Sequence, residues 1–218
     1  MIVPTAAIIN FAAAMGWCSP IKVKRFSTDP KVNTPATAAW CRTFADHASP
    51  HLGGLCLFMF GTGARVGQAC TLTWGEVDLT VRTATLYTDK PTPWTRTAYP
   101  PGPVVAALAN IGGNRNPDDL VFGFAGAGSV KDNWNAAIGR AGIERLTPHC
   151  CRHGFATTML QAGFDVKAVA ERGGWRDAAT VLRTYAHALK DVSVTEAVFA
   201  QIWHRAPTTT TQLSETRR

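Results

Sequence analysis

Six residues of this chain, each in a distinct local context, could together bind and attack a phosphodiester. They are Arg65, Lys90, His149, Arg152, Trp175 and Tyr185. Guanidinium groups, an imidazole and an indole N–H are donors that can cradle one phosphate. A phenol beside them can attack the phosphorus and form a covalent bond. The set predicts a nucleophilic tyrosine at a phosphate-binding site.

The first arginine follows a glycine-rich turn, Gly61-Thr-Gly-Ala-Arg65. The glycines permit a tight turn after an apolar helix, and Thr62 is a good N-cap. We therefore expect Arg65 in the first turn of a helix, where free backbone N–H groups favour an anion. Taken alone, an arginine in this position is more often an exposed residue in a surface ion pair.

A second helix start carries His149 and Arg152, which lie three positions apart and share one face. Thr147 is the expected N-cap and Pro148 the first helical residue. A zinc site is the alternative, because two cysteines and a second histidine crowd around His149. Adjacent positions point around a helix, so at most two of these side chains could reach one metal ion. We predict no metal site here and a buried location for both cysteines, Cys150 and Cys151.

Tyr185 follows Trp175 by ten residues and lies between Val181 and Leu189, at four-residue spacing. That spacing alone is also typical of a core tyrosine on an apolar helix face. Lys90 ends the first strand of an expected hairpin, where a solvated turn lysine is the alternative interpretation.

The strings around these residues resemble the tyrosine recombinases, the phage integrase family. Thr62–Asp78 is similar to the first arginine box, His149–Thr157 to the His-x-x-Arg-His box, and Glu171–His187 to the tyrosine box. The resemblance covers residues 35 to 190. It departs at Gln68, where the family usually has an acidic residue.

The resemblance implies a site-specific recombinase or integrase of a mobile element, which cuts and rejoins DNA through a 3′-phosphotyrosine. Tyr185 would be the nucleophile, and Lys90 would protonate the departing 5′-oxygen. The bond energy stays in the protein–DNA linkage, so we expect no metal and no cofactor. A catalytically defective, truncated DNA-binding remnant and a DNA topoisomerase of the same chemistry remain open.

Four further residues would act on the phosphate. The resemblance implies that Arg65 and Arg152 neutralise its non-bridging oxygens. His149 would hydrogen-bond the phosphate or accept the tyrosine proton. Trp175, at a position where relatives often use histidine, would donate its indole N–H.

The elements that must position these residues are mostly helical. Hydrophobic periodicity and turn residues predict a mainly helical α+β fold with a small antiparallel sheet, as in a tyrosine-recombinase catalytic domain. We expect two helices within 35–60, the first opening at Thr34-Pro35, then a helix over 65–74, a hairpin over 82–99, a helix over 104–111, a short strand over 120–124, and helices over 130–141, 148–162, 165–172 and 178–189.

Three domains are expected along the chain. Residues 1–34 combine a helical segment, uncharged up to Lys22, with a basic linker, and resemble the remnant of a core-binding domain. Residues 35–203 form the catalytic domain, and residues 204–218 a disordered tail. A short helix within Asp191–Trp203 would dock on a neighbouring protomer, as in the family, and so build a homo-oligomer, a tetramer on paired sites.

Composition agrees with a DNA partner. Lys and Arg outnumber Asp and Glu by 22 to 15, which gives a net charge of +7 and favours a polyanionic partner. The resemblance implies that this partner is double-stranded DNA. No apolar run approaches the roughly 20 residues of a bilayer span, and no secretory signal is recognisable. We therefore expect no membrane association, a cytoplasmic location, and six cysteines in the reduced state.

Overall fold

A computed structural model describes residues 2–21, 34–87 and 95–185 of the chain. The chain divides into two compact units, 1–32 and 33–218. Helix α1, Ile2–Ala14, belongs to the first unit. The three-domain division expected from the sequence stays a prediction, and its tail from residue 204 lies outside the described residues.

The second unit is mainly helical. Within the described residues its helices are α2 (Ala38–Asp46), α3 (Pro50–Thr62), α4 (Val66–Cys70), α5 (Gly102–Ala109), α6 (Ala127–Ala141), α7 (Pro148–Gln161), α8 (Val166–Gly173) and α9 (Ala178–Tyr185). Apart from the bounds, these are the helices that the hydrophobic pattern predicts; residues 186–189 of the last predicted helix lie outside the described residues. Helix α3 packs against α2, α5 and α7 and therefore forms the centre of the core.

Helix α2 begins later than predicted. Thr34 and Pro35 precede the helix, and Thr37 is its N-cap, whose side chain accepts the N–H of Trp40 at 3.1 Å. The expected start was wrong because the chain before the helix is held by another contact. The N–H of Ala36 donates to the carbonyl of Cys150 in α7, at 3.0 Å.

Three antiparallel strands form one sheet, in the order β1 (Val77–Asp78), β2 (Thr83–Tyr87) and β3 (Thr95–Ala98). Strands β2 and β3 confirm the predicted hairpin, while its turn lies outside the described residues. The fold class expected from the sequence, mainly helical α+β with a small antiparallel sheet, is thus confirmed.

Two local predictions were wrong. The segment 65–74 is not one helix: α4 ends at Cys70 and a 3-10 turn follows at Trp74–Glu76. The chain turns because Glu76 accepts the N–H of Thr73 at 2.8 Å. The segment 120–124 is not a strand, since Leu120 makes only an isolated bridge to Thr73. Val121 and Phe122 are apolar because they are buried in the core, not because they join the sheet.

An aromatic cluster fixes the chain that leads into α7. Trp40 and Trp134 both pack against Phe44, with ring centroids 5.3 and 4.2 Å from it. The indole N–H of Trp134 donates to the carbonyl of Leu146 at 2.8 Å, and that of Trp40 to the carbonyl of Glu144 at 2.9 Å. These bonds set where α7 begins. None of the helices in the described ranges is long and apolar enough to cross a bilayer.

Candidate active site

Arg65 lies between two helices rather than inside one. Helix α3 ends at Thr62, and Gly63 is its left-handed C-cap, with φ 67°. Arg65 is the N-cap of the five-residue helix α4, and its side chain is exposed. The expectation that Thr62 caps α4 and that Arg65 lies in its first turn was wrong. The Thr62 hydroxyl instead donates to the Phe58 carbonyl within α3, at 2.6 Å.

Gln68 holds the backbone of this turn. Its side-chain oxygen accepts the N–H of Arg65 at 3.2 Å, and its amide nitrogen donates to the carbonyl of Tyr87 at 3.0 Å. Tyr87 is the last residue of β2. Gln68 therefore links Arg65 to the strand that leads toward Lys90. Lys90 itself lies outside the described residues, and its role stays a prediction.

Helix α7 begins at Pro148, with Thr147 as N-cap, as predicted. His149 is exposed in its first turn, and its ring meets that of His153 edge-on at 4.6 Å. The ring is nevertheless partly shielded from solvent by the atoms around it. This partial desolvation, and then the positive charges of Arg152 and Arg65, lower the pKa of His149 below its usual value. His149 therefore favours the neutral imidazole, which can accept a hydrogen bond or a proton.

Arg152, also on α7, is 2 % exposed. One of its terminal nitrogens donates to the carbonyls of Gly63 and Gly173. Its guanidinium carbon lies 3.6 Å from the ring centroid of Trp175. The indole thus offers its face to a cation, whereas the sequence predicted only its N–H as a phosphate donor.

Tyr185 is the last described residue of α9 and is 3 % exposed. Its hydroxyl shares a hydrogen bond with Nδ1 of His153 at 2.8 Å, and its ring lies 5.9 Å from that of Trp175. Burial raises the pKa of Tyr185 to about 12, while the positive charge of Arg152 acts in the opposite direction. Ionisation of this phenol therefore needs a base, and His153 is in hydrogen-bonding contact with it.

His153 was not among the six candidates, although the sequence carried a signal for it. It lies four positions after His149, so it shares the helix face that carries the candidate histidine. Arg96 was missed as well. It occupies an inward position of β3 and is 8 % exposed, where the alternation of the strand calls for an apolar residue.

Three arginines thus meet in one place. The pKa of Arg152 falls to about 9 through burial and the charges of Arg65 and Arg96, and that of Arg96 falls to about 10 through burial and the charge of Arg65. The ion pair found in the described ranges, Lys167 with Glu171, is on exposed side chains of α8 and involves none of them. The cluster is therefore a site of concentrated positive charge that suits a phosphodiester.

A thiol cluster lies apart from these arginines, in the core between α2, α3 and α7. The sulfur atoms of Cys41, Cys56 and Cys151 lie within 4.8 Å of one another, and all three residues are buried. Hydrogen bonds from Cys151 and Cys56 lower the pKa of Cys41 to about 5. Cys150 and Cys151 are buried, as the sequence predicts. Burial raises the pKa of Cys56, and the hydrogen bond to Cys41 raises that of Cys151. Soft metals are bound by thiolates, so at neutral pH these two side chains favour the thiol form, which does not bind a metal ion.

Comparison with known proteins identifies the family. The model of the phage integrase family matches residues 39–191, which is more than half of the chain. The chain belongs to the phage integrase family. The family predicted from the sequence is thereby confirmed.

Two curated relatives illustrate the similarity. A tyrosine recombinase, XerA of Pyrococcus furiosus, is 31% identical over 129 residues, which are 53% of this chain and 43% of that protein. The integrase of Salmonella phage P22 is 43% identical over 54 residues, which are 25% of this chain and 14% of that protein. The matches therefore span less than half the length of these relatives.

Solved structures of the phage integrase family share the fold. The catalytic domain of bacteriophage HP1 integrase matches with a TM-score of 0.59 at 21% identity, over 80% of this chain and 99% of that one. The Tn1549 transposon integrase, solved with transposon right end DNA, matches with a TM-score of 0.64 at 18% identity, over 89% of this chain and 75% of that one. At these identities the likeness concerns the fold alone.

Proposed function

We propose that the chain is a site-specific DNA recombinase that cuts and rejoins DNA through a 3′-phosphotyrosine. The observation that carries the proposal is the contact of Tyr185 with His153, next to the Trp175 ring on which Arg152 stacks. A phenol, a base and a phosphate-binding cation are the groups that such a reaction needs. Membership of the phage integrase family supports the same reaction.

In the cleavage step the oxygen of Tyr185 attacks the phosphorus of the scissile phosphodiester. A bond forms between the tyrosine and the 3′-phosphate, and the bond from phosphorus to the 5′-oxygen breaks. The phenol proton passes to His153, and the 5′-oxygen leaves as a hydroxyl after it receives a proton, for which Lys90 is the candidate donor. Rejoining reverses these steps, with a 5′-hydroxyl as the nucleophile. One phosphoester replaces another, so the step is balanced without an oxidant or a nucleotide.

The arginines would act on the phosphate. Arg65 is exposed, so its guanidinium is accessible to a non-bridging oxygen. Arg152 is tied to backbone carbonyls and stacked on Trp175, so it would meet the phosphate from a fixed position. Preorganised donors of this kind lower the barrier because they do not reorient as charge develops. His149 would donate or accept a hydrogen bond at the same phosphate.

Double-stranded DNA is the proposed partner. A net charge of +7 and the arginine cluster support it, as do the Tn1549 integrase structures with transposon DNA. Because phosphate contacts release counterions, log affinity should fall linearly with log salt, by about 0.9 per neutralised phosphate. A cytoplasmic location is part of the proposal, because a DNA substrate would be accessible there. Binding that is insensitive to salt would contradict this interface.

We also propose a homo-oligomer, a tetramer on paired sites, formed through the C-terminal segment. Val194, Val198 and Ile202 recur at four-residue spacing within 191–203, outside the described residues. A largely apolar pocket of about 390 Å³, lined in part by Phe60, Tyr99 and Phe164, supplies a surface that could receive such a helix. Removal of residues 191–218 should impair recombination of paired sites more than cleavage of single sites. Equal loss of both would contradict the assembly role.

The test is covalent trapping on a pool of nicked DNA duplexes of randomised sequence, in which the cleaved fragment diffuses away. We expect wild-type protein to form an adduct that maps to Tyr185, with or without chelator. Tyr185→Phe should form none but bind the pool with unchanged affinity, while the control Tyr99→Phe, at an exposed tyrosine, should behave like wild type. An adduct with Tyr185→Phe would show that the nucleophile is another residue. Binding by the wild type without any adduct would favour a defective DNA-binding remnant, and relaxation of supercoiled plasmid would favour a topoisomerase.

A further inference from the structure

The C-terminal ends of α3 and α8 meet beneath the arginine cluster, and Arg96 joins them. It donates to the carbonyl of Thr62, the last residue of α3, at 3.1 Å, and to the carbonyl of Arg172 near the end of α8, at 2.6 Å. The last carbonyls of a helix have no donor within their own helix, and they carry the negative end of the helix dipole. Arg96 therefore satisfies two such carbonyls, one from each helix.

Arg152 makes a parallel bridge one residue further along. It contacts the carbonyls of Gly63 and Gly173, the residues that follow those held by Arg96. Two buried guanidinium groups thus join the same pair of helix ends. One of the two, Arg152, belongs to the proposed phosphate site, and the other does not need to touch the substrate to affect it.

The two helix ends lead directly to residues of the proposed site. The α3 end continues through Gly63 to Arg65 within three residues. The α8 end continues through Gly174 to Trp175, and the guanidinium of Arg152 stacks on the Trp175 ring. A change in the separation of these ends would therefore displace Arg65 relative to Arg152 and Trp175.

The place of Arg96 in the sheet is unusual for a charged residue. It is paired with Leu86 across β2 and β3, on the face that also buries Ala98. A buried guanidinium is unfavourable unless it is paired and hydrogen-bonded, and its Nε has no hydrogen-bond partner in the described part of the chain. Such departures from a local sequence rule are expected at functional sites.

We propose that Arg96 is a positioning residue for phosphodiester cleavage, which acts by holding the ends of α3 and α8 at the separation that aligns Arg65 with Arg152. The inference rests on the proposed function, because it assigns Arg96 a role in that reaction. The mechanism of positioning is mechanical: a planar fork bridges two carbonyls that a single-point donor such as lysine cannot bridge in the same way.

The test is Arg96→Lys, which keeps the positive charge and removes the fork. We expect single-turnover cleavage of the nicked duplex pool to slow at least about tenfold, since a misplacement of about 1 Å can cost a hundredfold. The dissociation constant for the same pool should stay within about twofold, because the charge of the cluster is retained. A residue with a purely structural role would not separate rate from affinity in this way.

Arg115→Lys is the matched control. Arg115 also donates to two backbone carbonyls at a helix end, those of Ala109, the last residue of α5, and of Ile111. Its guanidinium lies over the ring of Trp74, at 4.8 Å. It therefore holds carbonyls at a helix end, as Arg96 does, but it is exposed and lies away from the cluster. Its variant should cleave and bind like wild type, even if its melting temperature falls as far as that of Arg96→Lys.

Hydrogen exchange gives a readout that does not depend on activity. The amides of Gly174 and Trp175 donate to carbonyls within α8, at 3.3 and 2.8 Å. Both should exchange faster in Arg96→Lys than in wild type, and not in Arg115→Lys. Unchanged exchange at these amides, or cleavage by Arg96→Lys at the wild-type rate, would overturn the proposal.

If wild type forms no adduct, the recombinase proposal fails. Faster exchange in Arg96→Lys would then still support the bridge between the two helix ends, whereas unchanged exchange would overturn it. If Arg96→Lys does not fold, Arg96→Gln, which keeps donor capacity without the charge, is examined in the same two measurements.

Discussion

The hydroxyl of Tyr185 and Nδ1 of His153 lie 2.8 Å apart, in a buried contact between α9 and α7. This pair joins the proposed nucleophile to the helix that also carries His149 and Arg152. A neutral imidazole with its proton on Nε2 accepts the phenol proton at Nδ1. His153, rather than His149, is therefore the nearest base to the tyrosine.

The pair should be energetically coupled. His153→Leu leaves the buried phenol without this partner, so we expect the free energy of unfolding to fall by about 1 to 3 kcal/mol. Tyr185→Phe removes the hydroxyl itself. In a double-mutant cycle followed by denaturant unfolding, the two losses should be non-additive by at least about 0.5 kcal/mol. Additive losses would mean that the contact contributes no stability, and adduct formation at the wild-type rate in His153→Leu would exclude His153 as the base.

Substitution of Arg65 should affect cleavage alone, whereas substitution of Arg152 should affect both cleavage and stability. Arg65 is exposed, so Arg65→Ala should leave the melting temperature nearly unchanged and slow cleavage by about a hundredfold, the scale for one transition-state donor. Arg152 is buried and holds two helix ends, so Arg152→Ala should lose stability together with cleavage. Thermal unfolding and single-turnover cleavage of the nicked pool measure the two effects. A stability loss in Arg65→Ala as large as that in Arg152→Ala would contradict this division.

The charge of Arg65 should be visible in the titration of His149. The pKa of His149 is lowered by partial desolvation, then by Arg152 and Arg65, so Arg65→Gln should raise it. NMR titration of the histidine ring signals measures this, with the signal assigned through His149→Gln. Arg42→Gln, at an exposed arginine of α2, is the control and should leave the pKa unchanged. An unchanged pKa in Arg65→Gln would mean that the two groups do not interact.

The lowered pKa of His149 should also make the stability of the protein depend on pH. The folded-state pKa of His149 is below its unfolded value of about 6.5, so the unfolded chain binds more protons between the two. Its contribution to stability is therefore present above about pH 6.5 and is lost as the pH falls toward the folded-state pKa. Denaturant unfolding of wild type and His149→Gln should diverge over that acid range. Parallel pH profiles would contradict the assignment.

Local sequence was sufficient for most of the fold and for part of the site. Periodicity predicted the helices, and the strings around Arg65, His149 and Tyr185 predicted the family. The contacts of Arg96 with Thr62 and Arg172 could not be predicted, because they join residues far apart in the chain. An arginine in a strand of four residues gives no indication of what it bridges.

Contacts between distant residues also explain why two local predictions were wrong. Thr62 was expected as an N-cap because a threonine between glycines suits one, but Gly63 supplies the left-handed C-cap that ends α3 instead. The run 120–124 was expected to be a strand, but Val121 and Phe122 are buried in the core without a ladder, and Leu120 is exposed. In both cases, the tertiary context selected between two structures that the local sequence allows.

The last prediction uses a glycine to displace Arg96 without changing it. Gly174 is the left-handed C-cap of α8, with φ 67°, and a Cβ there would lie 2.5 Å from Nε of Arg96. Gly142 is the left-handed C-cap of α6, with φ 62°, and a Cβ there would meet nothing within 4 Å. Alanine at either position bears the backbone strain of a left-handed conformation, about 1 to 2 kcal/mol. Only alanine at 174 also pushes the buried arginine from its carbonyls.

Gly174→Ala should therefore slow cleavage of the nicked pool, whereas Gly142→Ala should lose stability alone. Thermal unfolding first establishes that both variants fold at the assay temperature, and single-turnover cleavage then separates them. Because the charge of Arg96 is unchanged, a slower rate in Gly174→Ala reports its position and not its presence. Equal rates in the two alanine variants would show that the site tolerates displacement of this guanidinium, and the alignment of Arg65 with Arg152 would then have to be maintained by Arg152 and Gln68.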